Sequence, residues 1–109
     1  MAEQCFTLAR RKWNETYKNN QLTYDAGTGP ELWAIAKEAG YRTTRSAISK
    51  AIACWDDGGA GHVAWVLNVN KGNTMTIIES NWPLGAVGVT STIDIGDRSG
   101  RTYLGCVYL

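Results

Sequence analysis

Two residues open the question of chemistry: Cys5 near the N-terminus and His62, the chain's single histidine. A cysteine paired with a distant histidine is the minimum set for nucleophilic catalysis, in which a thiolate attacks and an imidazole moves the proton. Cys5 falls in the first turn of a stretch that reads as helical, where the partial positive charge of the helix end favours thiolate over thiol. A small buried apolar residue is the alternative for any free cysteine. His62 follows Gly61 and opens the apolar run 62–69, which reads as a strand. The next strand, 73–79, comes back through Asn70-Lys71-Gly72. A turn centred between Lys71 and Gly72 places His62 opposite Asn81 and sets Glu79, opposite Ala64, diagonally beside it on the same face. A base whose second ring nitrogen is held by Glu79 or Asn81 has its tautomer and orientation fixed. A one-residue slip would turn His62 away from both, leaving a surface histidine beside solvated polar groups.

The elements that must position these residues follow from the hydrophobic pattern. Residues 4–18 place Cys5, Ala9, Trp13 and Tyr17 four apart with Leu8 alongside, one apolar stripe of a helix. A polar, glycine-bearing stretch ends it. Thr28 or Gly29 can cap a second helix that has Pro30 at its first position and Gly40 as its terminator. Beyond Gly40, residues favourable to strands dominate and glycine turns recur. Five strands are predicted, over 51–56, 62–69, 73–79, 87–95 and 102–109, with short connections that make neighbours antiparallel. The expectation is one α+β domain over residues 1–109, with N-terminal helices packed on one side of an antiparallel meander.

Composition narrows the function. Forty-four per cent hydrophobic residues and 19% charged describe a globular chain. A net charge of +1 provides no field to attract nucleic acid, so no nucleic-acid partner is expected. The basic run Arg10-Arg11-Lys12 reads as a solvated helix face. No apolar run reaches the roughly 18 residues of a membrane helix, and Met1-Ala2-Glu3 opens no signal peptide. Three cysteines without C-x-x-C spacing argue against a zinc ribbon. Cys54 and Cys106 fall on predicted strands, as buried thiols or a bridge. Asp56-Asp57-Gly58 reads as a solvated turn rather than a cation site, and a site built from Cys5, Cys54, Cys106 and His62 has no spacing to bring it together. No metal and no cofactor are assigned.

Gln4-Cys5 opening a helix, Gly61-His62-Val63-Ala64-Trp65-Val66 on a strand and Glu79-Ser80-Asn81-Trp82 ending the next together resemble the CHAP family of cysteine, histidine-dependent amidohydrolases and peptidases. The likeness extends to the Trp33 segment 32–40, to 51–55 and to the closing 103–108. Where members often carry Pro-x-x-Gly ahead of the strand preceding the histidine, this chain has Ala47-Ile48-Ser49-Lys50. The resemblance implies a papain-like α+β fold that cleaves bacterial peptidoglycan at an amide, as an N-acetylmuramoyl-L-alanine amidase or a stem or cross-bridge endopeptidase. It also implies the roles. Cys5 is the nucleophile, His62 the general base, and Glu79 the residue that orients the imidazole, with Asn81 sharing that task or lining the groove. Gln4, with the Cys5 N–H, is the candidate for the oxyanion hole, and Trp82 flanks the cleft. Trp55 and Trp65 are expected in the core rather than the groove. The expected setting is a monomer unless joined to a wall-binding domain, either made in the cytoplasm and released onto the wall in the manner of a phage endolysin or forming part of a larger secreted lysin. The alternative is a non-catalytic wall-binding or structural phage or secretion component that keeps the fold.

Overall fold

The computed structural model describes residues 5–22, 29–82 and 85–109. Helix α1 (Cys5–Thr16) and helix α2 (Gly29–Glu38) precede strands β1 (Arg42–Thr44), β2 (Ala51–Asp56), β3 (His62–Asn70), β4 (Thr74–Glu79), β5 (Val89–Asp94) and β6 (Thr102–Tyr108). The strands form one six-stranded antiparallel sheet in the order β1-β6-β2-β3-β4-β5. The α+β class is as the sequence reads, with helices on one face of the sheet. The predicted stripe of α1 buries Leu8, Ala9 and Trp13 together with Phe6, and Trp13 meets Tyr17, Tyr41 and Trp65 edge-on. Its indole N–H reaches the Asn20 carbonyl, 2.8 Å away. The Arg10–Lys12 run stays at the surface, where Arg11 pairs with Glu15 at 3.3 Å, an exposed contact that adds little stability. Helix α2 stops as predicted: Gly40 adopts φ 85°, and the Tyr41 N–H reaches back to the Ala36 carbonyl. Thr28, the other candidate cap, lies outside the described residues.

Two apolar layers sandwich the sheet. Between sheet and helices lie Ile52, Cys54, Val63, Trp65 and Val107 with the buried faces of α1 and α2. On the other face are Ala51, Ala53, Trp55, Ala64, Val66, Met75, Ile77, Tyr103 and Cys106. Among the described residues no helix covers this second layer. Ala47 and Ile48 close it from one side and Ile93 and Ile95 from the other. Cys54 and Cys106 thus belong to different layers and are buried free thiols.

Two departures from the meander matter for the site. Strand β1 was not anticipated; it pairs with β6. More important, β6 lies beside β1 and β2 rather than β5. Strand β5 ends with Asp94 opposite Thr74, at the β3–β4 turn, whereas β6 starts with Thr102 opposite Asp56, at the end of the sheet where His62 begins. Segment 95–101 is therefore no hairpin between neighbours. It carries the chain from one end of the sheet back to the other, along the face away from α1 and α2, with Ile95 packed on the second layer.

Backbone constraints hold the His62 end tightly. The Gly29 N–H donates to the Ala60 carbonyl, docking the start of α2 on the β2–β3 turn. Gly61 has φ 62°, and a methyl group there would overlap the Trp55 carbonyl and sit 2.8 Å from Pro30 Cδ. Lys50, at the glycine position of the family's Pro-x-x-Gly, takes φ 58°, tied down by its N–H to the Val66 carbonyl and by its own carbonyl to the Tyr17 hydroxyl. Gly61→Ala is expected to cost at least about 2 kcal/mol more than Gly72→Ala in denaturant unfolding, because Gly72 shares a left-handed φ of 79° but has open space around it. Equal losses would mean the approach of α2 to the turn is not tight.

Candidate active site

Register brings the site together through two offsetting features. At the turn end Asn70 faces Thr74 and Asn68 faces Thr76, one step away from the pairing read from the sequence. Carried along the strand, that pairing would put Glu79 opposite Trp65 and on the face away from His62. A bulge between Val66 and Asn68 absorbs the extra residue, so that Val66 faces Ile77 and Trp65 faces Ile78. His62 and Glu79 then share a face. Their side chains meet with Nε2 and Oε1 2.7 Å apart, both almost fully buried.

Cys5 stands at the start of α1, where the His62 side chain lowers its pKa and has its own pKa raised by the sulfur. Because Nε2 is occupied by Glu79, Nδ1 is the ring nitrogen left for the thiol. The first turn of α1 contains no acidic residue, so the helix's positive end is not neutralised from within. The imidazole lies between two indoles, 5.9 Å from the Trp55 ring and 5.1 Å from the Trp82 ring.

These contacts decide the charges. Burial works against a Cys5 thiolate, but the His62 hydrogen bond, backbone hydrogen bonds at Val63 and Phe6, and the charge of His62 outweigh it and hold the thiol below its ordinary 9.0. Burial likewise opposes a charged His62, yet Cys5 and Glu79 together raise it above 6.5. Glu79 is buried too, and His62 and Arg98 bring its carboxyl below 4.5. Each shift favours the charged form of its own group: thiolate for Cys5, imidazolium for His62 and carboxylate for Glu79.

The remaining expected residues divide. Trp82 is half-buried against His62, at the flank of the site. Asn81 has φ 63°; its N–H donates to the Ala86 carbonyl, and its Oδ1 accepts the Gly85 N–H at 3.2 Å. These bonds shape the turn that presents Trp82, while the imidazole nitrogen that Asn81 was a candidate to hold is bonded to Glu79. Gln4 lies outside the described residues. Trp55 and Trp65 are buried, as expected. Asp57 is consumed within its turn, accepting the Gly59 and Gly61 N–H groups and Arg101. Among the described residues no cluster of three metal-ligating side chains occurs, and no helix is long and apolar enough to cross a membrane.

Arg98 was missed. It sits in what the sequence presents as a glycine turn, yet it donates from both terminal nitrogens to Glu79, Nη1 to Oε1 at 2.7 Å and Nη2 to Oε2 at 2.9 Å. One signal pointed to it: a buried carboxylate needs a cation, and Arg98 and Arg101 are the only arginines after Arg45.

An α+β domain with a helix-borne cysteine against a strand-borne histidine and carboxylate is the class this arrangement defines. Residues 1–81 match the CHAP domain family, and the chain belongs to it. Over 56 residues, it is 36% identical to a Streptococcus mutans serotype c protein named "Putative hydrolase", an alignment covering 51% of this chain and 26% of that one. The fold is similar to the crystal structure of N-acetylmuramoyl-L-alanine amidase from Staphylococcus aureus, with a TM-score of 0.75 at 20% identity over 94% of this chain and 30% of that one. The chain thus spans less than a third of either relative.

The electrostatics make a direct prediction. Alkylation of Cys5 by iodoacetamide, followed on its own peptide by mass spectrometry, should rise at a pH clearly below 9.0. Glu79→Gln withdraws the charge that supports the imidazolium, so the rise should move back towards 9.0. A wild-type profile that follows an ordinary thiol would show that Cys5 and His62 are not paired.

Proposed function

We propose that the protein is a peptidoglycan hydrolase that cleaves an amide bond through a covalent Cys5 intermediate. The observation that carries this reading is the buried His62–Glu79 pair, 2.7 Å from Nε2 to Oε1, whose imidazole also lowers the pKa of Cys5 at the start of α1. Membership of the CHAP domain family and the fold shared with an N-acetylmuramoyl-L-alanine amidase support the choice of substrate.

The reaction follows from the contacts. The Cys5 thiolate attacks the amide carbonyl carbon, and the carbonyl electrons move onto oxygen, where the Cys5 N–H at the positive end of α1 receives the developing charge. The imidazolium of His62 gives its Nδ1 proton to the leaving nitrogen, the C–N bond breaks, and an amine departs from a thioester on Cys5. Water then loses a proton to the neutral imidazole as its oxygen attacks the thioester. Collapse expels the Cys5 thiolate and releases a carboxylic acid, with His62 again protonated. Throughout, Glu79 holds Nε2 and keeps Nδ1 turned to the sulfur. The competent form carries a Cys5 thiolate and a His62 imidazolium, so kcat/KM should be bell-shaped. Its acid limb should lie below 9.0 and its alkaline limb above 6.5.

The test is incubation of wild type and Cys5→Ala with purified peptidoglycan from several bacteria, with mass spectrometry of the released fragments. Cleavage by wild type, reduced at least about a thousandfold in Cys5→Ala, is the expected result, and the new termini distinguish the sugar-to-peptide amide from a stem or cross-bridge bond. Binding of both proteins to walls with no cleavage by either would replace this reading with that of a wall-binding module.

A further inference from the structure

Segment 95–101 is the part of the molecule that the reaction as described leaves unused, and it lies beyond the residues matched to the family. Its course is fixed at each step. The Trp55 indole N–H donates to the Gly96 carbonyl at 2.9 Å, and Asp97 Oδ1 accepts the Tyr103 N–H at 2.8 Å. Arg98 and Arg101 exchange both backbone hydrogen bonds around Ser99 and Gly100, whose φ values are 47° and 82°. Two positive φ values in a two-residue loop make a tight hairpin turn, and residues paired directly across it project to the same side. Both arginines consequently reach Trp82, with guanidinium carbons 3.9 and 4.3 Å from the ring centroid. Arg101 also binds Asp57, and Arg98 binds Glu79.

We infer that Arg98 is a positioning residue for the reaction: its guanidinium, two-pronged on Glu79 and stacked on Trp82, fixes the carboxylate plane in which His62 is held. A carboxylate held by one bond can rotate about its last single bond, whereas a planar fork on both oxygens sets its plane. Oε1 accepts from both His62 and Arg98, so the direction in which Glu79 meets the ring is set jointly. The same guanidinium caps the indole that packs on the imidazole, linking the two supports of His62 through one side chain.

Charge gives the inference a distinctive readout. The groups facing one another across α1, β3, β4 and the 95–101 segment are Cys5, His62, Glu79 and Arg98, alternately negative and positive in the competent form. Beyond Trp82 stand the paired Arg101 and Asp57; Ser91 Oγ lies 3.5 Å from Glu79, and Asp97 is engaged by the Tyr103 N–H. Removing the Arg98 charge raises the proton affinity of every remaining acid in the chain. Both limbs of the pH profile should therefore move upward.

The inference rests on the reading of Cys5, His62 and Glu79 as the reacting array, and two separate readouts test it. In peptidoglycan cleavage, Arg98→Gln should lower kcat about tenfold or more with KM within about threefold, and shift both pH limbs upward by about half a unit. In Cys5 alkylation, which needs no peptidoglycan, the same variant should show the same upward shift. Arg98→Lys should bring the limbs back towards wild type while kcat stays low, because an ammonium restores charge without the fork. Arg101→Gln, which leaves the Glu79 bonds intact, should shift the limbs by less than half as much. An Arg98→Gln protein with wild-type melting temperature, kcat and limbs would overturn the inference, as would equal shifts in the two arginine variants. Absence of peptidoglycan cleavage by wild type would overturn the substrate reading instead, with the alkylation arm still deciding the role of Arg98.

Discussion

Burying a carboxylate is among the costliest things a small domain can do, and Glu79 is buried at the end of β4 with the Arg98 guanidinium and the His62 imidazole bonded to it. Isolated in that position, it would take up a proton and lose its hold on His62 as an acceptor. Joined to Arg98 and His62 it remains charged, all of its close contacts being charge-assisted hydrogen bonds. Much of the unusual architecture serves this one group. The bulge at the middle of β3 turns it to the side of His62, and the long return of segment 95–101 delivers the Arg98 guanidinium.

The chemistry at Cys5 depends on that carboxylate at one remove. A thiol at a helix end gains some acidity from the backbone alone, but here burial opposes ionisation, and the imidazole decides the outcome. The imidazole in turn has its pKa raised, against its own burial, by the sulfur and the carboxylate. Rigidity adds to this. Gly61 permits the β2–β3 turn to press against Pro30 and Trp55, while Trp55 and Trp82 enclose the ring. His62 has little room to leave the orientation in which one nitrogen meets Glu79.

What the sequence made legible was local or carried by pattern. The stripe of α1, the Gly40 stop of α2, and the strands flanking short glycine turns all follow rules that act within a few residues. Cys5, His62 and Glu79 were nominated by residue type, by the pairing read from the β3–β4 turn and by the family resemblance, and the fold brings His62 and Glu79 into contact. The pairing of His62 with Glu79 was anticipated from a turn one step away from the observed one; the β3 bulge supplied the missing step, and no residue type announces it. Arg98 was hidden for a different reason. Gly96 to Gly100 carries the signature of a hairpin between adjacent strands, and the tight turn is indeed there at Ser99-Gly100. Which strand it leads to is decided by closure of the second apolar layer, a long-range matter. Asn81 was nominated by polarity and position, and its left-handed backbone and its bonds to Gly85 and Ala86 set it at the start of the turn that contains Trp82.

The central claim is that His62 is held charged by two partners, and the chain's single histidine makes it directly measurable. A pH titration of the His62 ring nitrogens by NMR needs no assignment among histidines. The account predicts a wild-type pKa above 6.5 that falls in Cys5→Ala and falls in Glu79→Gln, since each variant removes a group that favours the imidazolium while burial continues to oppose it. A wild-type value at or below 6.5 that neither substitution moves would contradict the account.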